Sequence, residues 1–240
     1  MKAVIVIPAR WASTRFPGKP LVEIAGRSLI RRVHERASAV RNATAIYVAT
    51  DDPRIAEHVE AFGGLVLQPQ GDFQTGTDRI AAAVSLLDSS PDQVINVQGD
   101  EPLIDSEDVA RVIDALQSDD ADIATLATPI ETDQEYESRD VVKVVTDLHG
   151  NALYFSRAPI PSGGRTAARR HVGLYGYQTR ALLRMASLPQ TELERAESLE
   201  QLRALQNGLK IRVLHTDKPH LGVDRPEDVL RVETELAKLR

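Results

Sequence analysis

Short runs of β-branched and apolar residues alternate with stretches whose apolar residues recur at helical spacing, and this alternation restricts the fold more than any other feature of the chain. The runs are Ala3 to Ile7, Ile46 to Ala49, Val94 to Val97 and Ile123 to Leu126. Continuous apolar runs of this length are what parallel strands covered on both faces look like. Between them, Leu29, Ile30, Val33, Ala37 and Val40 share one helical face, as do Ile80, Ala83, Val84 and Leu87, and then Val109, Val112, Ile113 and Leu116. Strand, helix and strand in succession imply βαβ units with right-handed crossovers. Asp105 or Ser106 is suited to cap a helix beginning near Glu107, and Asn207-Gly208 to stop one running from about Glu194. From Val141 the pattern tightens to closely spaced strands at Val141 to Thr146, Ala152 to Phe155 and Val172 to Tyr177, with a turn at His149-Gly150-Asn151. A last helix from about Pro226 carries Val229, Val232, Leu236 and Leu239 toward the body. The expected fold is a mixed α/β sheet with an antiparallel insertion, in a single domain over residues 1–240.

Composition narrows the function classes. A net charge of -6 argues against a general nucleic-acid binder, because such affinity needs a basic footprint. The chain has no cysteine, which excludes disulfides and thiolate chemistry and suits a reducing, cytoplasmic setting. No apolar run approaches a membrane span, and the segment after Met1-Lys2 is too short for a signal core and reads as a strand.

Several segments carry candidate chemistry. The first strand leads into Arg10, Ser13, Arg15, Gly18 and Lys19, a loop at the carboxyl edge of the sheet, where open α/β folds bind ligands. Three cations within ten residues can surround a triphosphate, or can simply make a basic surface loop. The loop matches neither the P-loop nor the dinucleotide glycine fingerprint. The third strand run is followed by Gln98-Gly99-Asp100-Glu101-Pro102, and a carboxylate just past a buried strand is a natural Mg²⁺ ligand, or the mere end of a strand. Asp224, before the final helix, reads first as a helix N-cap. Joining it to Asp100 on one ion requires the fold. Arg157 suits a bidentate hold on a carboxylate, and His171 and Tyr175 suit sugar hydroxyls, although a His or Tyr at a strand edge is more often structural. Pro159 to Arg170 reads as an exposed loop, and Glu197, Glu200 and Gln201 as a solvated helix face.

Taken together, Ile7 to Leu21, Val94 to Pro102, Val141 to Pro161, His171 to Tyr177, Leu199 to Arg203 and Gly222-Val223-Asp224 resemble, in order, the blocks of the KDO cytidylyltransferases, where KDO is 3-deoxy-manno-octulosonate. The chain departs from them in carrying Asp78 for a common Glu, Ser138-Arg139-Asp140 for a common Asn-Pro-Asn, and a short loop between Pro161 and His171. The resemblance implies a Rossmann-like, three-layer nucleotide-diphospho-sugar transferase fold, with residues 141–177 forming much of the sugar-binding and dimerisation part of a homodimer. It implies that CMP passes from CTP to KDO, or to 8-amino-KDO or another acidic sugar, for lipopolysaccharide biosynthesis. Arg10, Ser13, Arg15, Lys19, Gln74 and Gly76 would bind the nucleotide, with Lys19, Asp100 and Arg15 catalytic. Arg79, Gln98, Arg157, His171, Tyr175, Glu200 and Gln201 would bind substrate, and Asp100 and Asp224 would hold Mg²⁺.

Overall fold

A computed structural model describes residues 1–12, 16–73, 75–118 and 121–238. It divides the chain into two compact units, one of residues 1–110 with 219–240 and one of residues 111–218. Among the described residues no helix is long and apolar enough to cross a membrane.

The first unit contains β1 (Ala3–Pro8), the small hairpin β2 (Glu23–Ile24) and β3 (Arg27–Ser28), α1 (Leu29–Ser38), β4 (Ala45–Ala49), α2 (Pro53–Ala61), β5 (Leu65–Leu67), α3 (Gly76–Val84), β6 (Gln93–Asn96) and the start of α4 (Ser106–Ser118). Its strands pair in parallel in the order β6-β1-β4-β5. Ala3 through Ile7 are completely buried, which is why β1 shows no polar alternation. The chain runs outward from β1 to β4 and β5, then returns to lay β6 on the other side of β1. The carboxyl ends of β1 and β6 therefore flank a topological switch point, the usual ligand crevice of such sheets. Gly99 serves that junction: a Cβ there would stand 2.6 Å from the Pro8 carbonyl oxygen, so its function is close packing of the two strand ends.

Local chemistry sets the helix boundaries. Ser28, Asp52 and Thr75 cap α1, α2 and α3 through their side-chain oxygens. Asp105, not Ser106, caps α4, accepting from the backbone N–H groups of Glu107 at 2.9 Å and Asp108 at 3.1 Å. Leu87 lies beyond the end of α3 and is only half-buried. The C-terminal helix is Asp228–Lys238. It buries Val232 and half-buries Val229 and Leu236, while Leu239 falls outside the described residues.

The second unit holds β7 (Ile123–Pro129), α5 (Asp133–Glu137), β8 (Lys143–Thr146), β9 (Ala152–Ser156), β10 (Arg169–Gln178), α6 (Thr179–Ser187), α7 (Glu192–Glu197), α8 (Gln201–Gln206) and β11 (Ile211–His215). Its strand order is β11-β7-β10-β8-β9, antiparallel except for the β11 and β7 pair. This is the antiparallel part expected of the chain. The turn at His149-Gly150-Asn151 is held by the Asp147 carboxylate, which accepts from the backbone N–H groups of His149 and Asn151 at 2.8 Å each. The single helix expected from Glu194 to Asn207 is two helices: Ser198 adopts φ 53 in the left-handed region, ends α7 and redirects the chain into α8. The loop expected to be exposed over 159–170 is tied down by Arg165, which reaches Asp133 of α5 at 2.8 Å and the Ile130 carbonyl, just past β7, at 2.9 Å.

Candidate active site

In the first unit, the loop after β1 turns at Gly18, whose φ of 71 suits glycine. Trp11, the chain's one tryptophan, packs where a Gly18 side chain would be and lies 3.4 Å, centroid to guanidinium, from Arg54. That arrangement directs the next residue, Lys19, inward until its side chain is only 14% exposed. Lys19 Nζ donates to Asp100 Oδ2 at 2.7 Å and lies 3.5 Å from Asp224 Oδ1. Two carboxylates separated by more than a hundred positions thus meet at one cationic point beside the ends of β1 and β6. The Asp228 carboxylate, at the start of the last helix, accepts from the backbone N–H groups of both Asp224 and Arg225 at 2.9 Å, which fixes the backbone there while the Asp224 side chain faces Lys19.

The first unit also carries the remaining candidates for the nucleotide, together with Arg79 and Gln98, which are expected to bind substrate. Arg10 is exposed just past β1, and Gly76 is the first residue of α3, where N–H groups and the helix dipole favour an anion. Arg79 is nearly buried and is held by Asp51, Nη1 to Oδ1 at 2.9 Å, with its guanidinium over the Phe73 ring. Gln98 donates to Asn96 Oδ1 at 3.4 Å. Ser13, Arg15 and Gln74 lie outside the described residues.

The donor set suits Mg²⁺. Two carboxylate oxygens already gathered around a positive charge are what this ion takes from a protein, with its remaining positions left to phosphate oxygens and water. Among the described residues no group of three or more His, Asp or Glu is placed to hold a metal, so the fit rests on this pair.

The second unit gathers the remaining candidates around β9, β10 and the α7–α8 junction. In a regular strand, residues 171 and 175 would stand about 13 Å apart. Here the register slips between Val172 and Tyr175, whose partners Leu126 and Thr125 are adjacent, so Gly173 and Leu174 form a bulge. The bulge brings the His171 and Tyr175 rings to 5.3 Å between centroids. Thr125 holds it in place. Its hydroxyl lies 2.8 Å from the Leu174 carbonyl, 3.2 Å from the Val172 carbonyl and 3.1 Å from His171 Nε2. The hydroxyl has one proton, and the shorter carbonyl contact takes it. Thr125 therefore accepts from His171 Nε2–H, leaving Nδ1 as a lone-pair acceptor.

Burial lowers the His171 pKa to about 3 and, with Tyr177 and then Glu200 adding to it, raises that of Tyr175 well above the ordinary phenol value. Both side chains are neutral hydrogen-bonding groups at physiological pH. The sign for stability follows: in the window from 6.5 down to about 3 the unfolded chain binds the His171 proton and the folded chain does not, so stability falls with pH there. Replacing His171 with Gln should make the loss of unfolding free energy between about pH 7.5 and about pH 5 smaller by roughly 2 kcal/mol, read by urea titration at both pH values. His34 and His215, whose pKa values burial also lowers, contribute alike to both proteins. Equal losses would mean that His171 takes up its proton as freely folded as unfolded.

Arg157 emerges from β9 with Nε donating to the Glu197 carbonyl at 2.9 Å and Nη1 to the Arg139 carbonyl at 3.2 Å. Glu197 is not a solvated helix residue. Its carboxylate accepts from Ser156 Oγ at 2.6 Å and from the Arg157 N–H at 2.8 Å, clamping the strand end to α7. Lys143, which sequence reasoning passed over as part of a strand, is completely buried and donates to the carbonyls of Ser138, Val141 and Arg157 at 2.8, 2.7 and 2.6 Å. Its pKa is lowered chiefly by that burial. The break at Ser198 places Glu200 and Gln201 at the start of α8. Gln201 is buried, and its Nε2 has no hydrogen-bond partner among the described residues, a donor unsatisfied without a ligand.

A family model described as Cytidylyltransferase matches residues 4–211. The chain is 49% identical to the 3-deoxy-manno-octulosonate cytidylyltransferase of Syntrophotalea carbinolica, with 100% of both chains covered. It is also 49% identical to the protein of the same name from Anaeromyxobacter sp., over 98% of this chain and 97% of that one. A solved CMP:2-keto-3-deoxy-manno-octonic acid synthetase complexed with CTP superposes with a TM-score of 0.94 at 40% identity, covering 100% of each chain.

Proposed function

Since the chain belongs to the 3-deoxy-manno-octulosonate cytidylyltransferase family, we propose that it transfers CMP from CTP to KDO, giving CMP-KDO and pyrophosphate for lipopolysaccharide biosynthesis. The observation that carries this reading is the meeting of Asp100 and Asp224 on Lys19 at the switch point of a parallel sheet. In the proposed reaction the anomeric hydroxyl of KDO attacks the α-phosphorus of CTP in line, the bond to the bridging oxygen breaks, and pyrophosphate leaves with no covalent enzyme intermediate. Such transfers depend on positioning and charge neutralisation more than on covalent help from the protein. Lys19, Arg15 and Arg10 would neutralise the triphosphate and the departing pyrophosphate. Gln74, and Gly76 at the N-terminus of α3, would border the nucleotide. Asp100 and Asp224 would hold Mg²⁺, which when bound supplies charge neutralisation at phosphate and acidifies a nearby hydroxyl.

On the sugar side, His171 Nδ1 accepts and the Tyr175 hydroxyl donates to sugar hydroxyls, and Gln201 Nε2 gains the partner it lacks within the protein. Glu200, Arg79 and Gln98 complete the proposed contacts, and Arg157 meets the sugar carboxylate. Changing Arg157 to Ala is expected to raise the KM for KDO at least about tenfold, with the KM for CTP little changed. An unaltered KM for KDO in steady-state kinetics would remove Arg157 from the sugar site. The same reading makes the enzyme a cytoplasmic homodimer, with residues 141–177 contributing to the dimer contact. The deciding experiment incubates purified protein with CTP, Mg²⁺ and either KDO or 8-amino-KDO and identifies the product by mass. Absence of a CMP-sugar in both arms would refute the proposal, and preference for the amino sugar would reassign the substrate.

A further inference from the structure

Asp224 is delivered by the segment from Pro219 to Asp224, which is neither helix nor strand, so something other than a regular hydrogen-bond ladder must set its position. Two ties do so, side by side. The Val223 N–H donates to the Asp100 carbonyl at 2.8 Å, with the Val223 side chain fully buried. One residue further along the other strand end, His220 Nδ1 lies 3.4 Å from Glu101 Oε2. On its far side His220 Nε2 lies 3.8 Å from Asp108 Oδ2, in the first turn of α4, and has no hydrogen-bond partner among the described residues. The His220, Glu101 and Asp108 side chains are 7%, 14% and 2% exposed, so this is an internal link and not a surface ion pair. The main-chain tie fixes one point of the segment against Asp100, and the imidazole fixes a second point against the residue next to it.

We infer that His220 is a positioning residue, seated between Glu101 and Asp108, that sets the separation of Asp100 and Asp224 and thereby the affinity of the site for its divalent cation. The inference rests on the reading of those two carboxylates as the Mg²⁺ ligands. A group that orients metal ligands without touching the metal typically changes metal affinity or activity by about 10–100-fold when lost. His220 would do so through Glu101 and Asp108, the two carboxylates that its ring faces.

The test compares full-length H220A, H220Q and D224N with the parent chain. Mn²⁺ binding is titrated by electron paramagnetic resonance with CTP present and sugar absent, alongside steady-state kinetics over Mg²⁺ concentration and thermal melts. H220A is expected to weaken Mn²⁺ binding and raise the half-activating Mg²⁺ concentration about tenfold, with the KM for KDO unchanged, while H220Q, which keeps a donor for Glu101, recovers part of the loss. Should H220A fail to fold, H220Q alone is expected to show a smaller shift in the same direction. The inference is overturned if D224N weakens Mn²⁺ binding while the folded His220 variants stay within about twofold of the parent. It is also overturned if those variants only melt earlier, with Mn²⁺ affinity intact. Unweakened binding in D224N identifies the metal assignment itself as the failure, and removes this inference with it.

Discussion

Replacing Asp100 with alanine should reduce kcat by about a thousandfold or more while the KM for CTP changes by less than about tenfold. Asp100 combines two functions in the proposed site: it takes the 2.7 Å hydrogen bond that sets the direction of Lys19, and it is one of the two carboxylates assigned to Mg²⁺. Its removal leaves Lys19, among the described residues, with the Asp224 carboxylate at 3.5 Å on a side chain that is 53% exposed, so the ammonium loses its fixed direction. In the proposed site, ground-state binding of CTP would also draw on Arg10, Arg15 and the N-terminus of α3. Stability should barely respond, because an ion pair in which the carboxylate is 32% exposed contributes at most about 1 kcal/mol. Pyrophosphate-release kinetics together with a thermal melt separate the two effects. A variant that keeps kcat within a few-fold of the parent, or that loses rate only in proportion to lost folded protein, would dismantle the assignment.

Much of this arrangement could be read from the chain because its determinants are local. Ala3 to Ile7 has to be buried on both faces, since no polar residue interrupts it, and the structure buries it entirely. Asp105 precedes a helical face and caps it, as the side-chain chemistry demands. What was hidden depends on partners far away in the chain. Asp224 has an ordinary N-cap sequence context, and only the fold brings its carboxylate to 3.5 Å from Lys19 Nζ. The meeting of His171 and Tyr175 depends on a bulge whose cause is Thr125, a residue nearly fifty positions earlier with no local mark of importance. Lys143 is a strand residue as expected, but its burial was not legible, because its three acceptors are backbone carbonyls, which leave no trace in a sequence. The left-handed turn at Ser198 is similarly silent: serine is an uncommon residue for that conformation, and the apolar spacing on either side continues as one helix would.

That turn depends for its support on a buried charge pair, and breaking the pair should have the largest effect on stability of any single change in the second unit. Arg203 on α8 and Glu194 on α7 are 4% and 5% exposed at their side chains, joined Nη2 to Oε1 at 2.7 Å and Nε to Oε2 at 2.9 Å. Arg203 Nη1 also donates to the carbonyls of Met185 and Leu188, so one guanidinium ties the end of α6 to both helices at the turn. Changing Arg203 to Met leaves the Glu194 carboxylate buried without its counter-charge, which typically costs about 3–5 kcal/mol. For a chain of this size that corresponds to a fall in Tm of roughly 6–20 °C. Because the cost is mostly that of an uncompensated charge, the double variant with Glu194 changed to Gln should regain at least about 2 kcal/mol, the amide still accepting from the Thr191 N–H in the capping box. Urea unfolding of the two single variants and the double variant provides the cycle. If Arg203→Met costs less than about 1 kcal/mol, or if the double variant is no more stable than it, then hydrophobic packing and not the ion pair holds α7 and α8 together. In that event the placement of Glu200 and Gln201 would need a different cause, since both sit in the first turn that this pair supports.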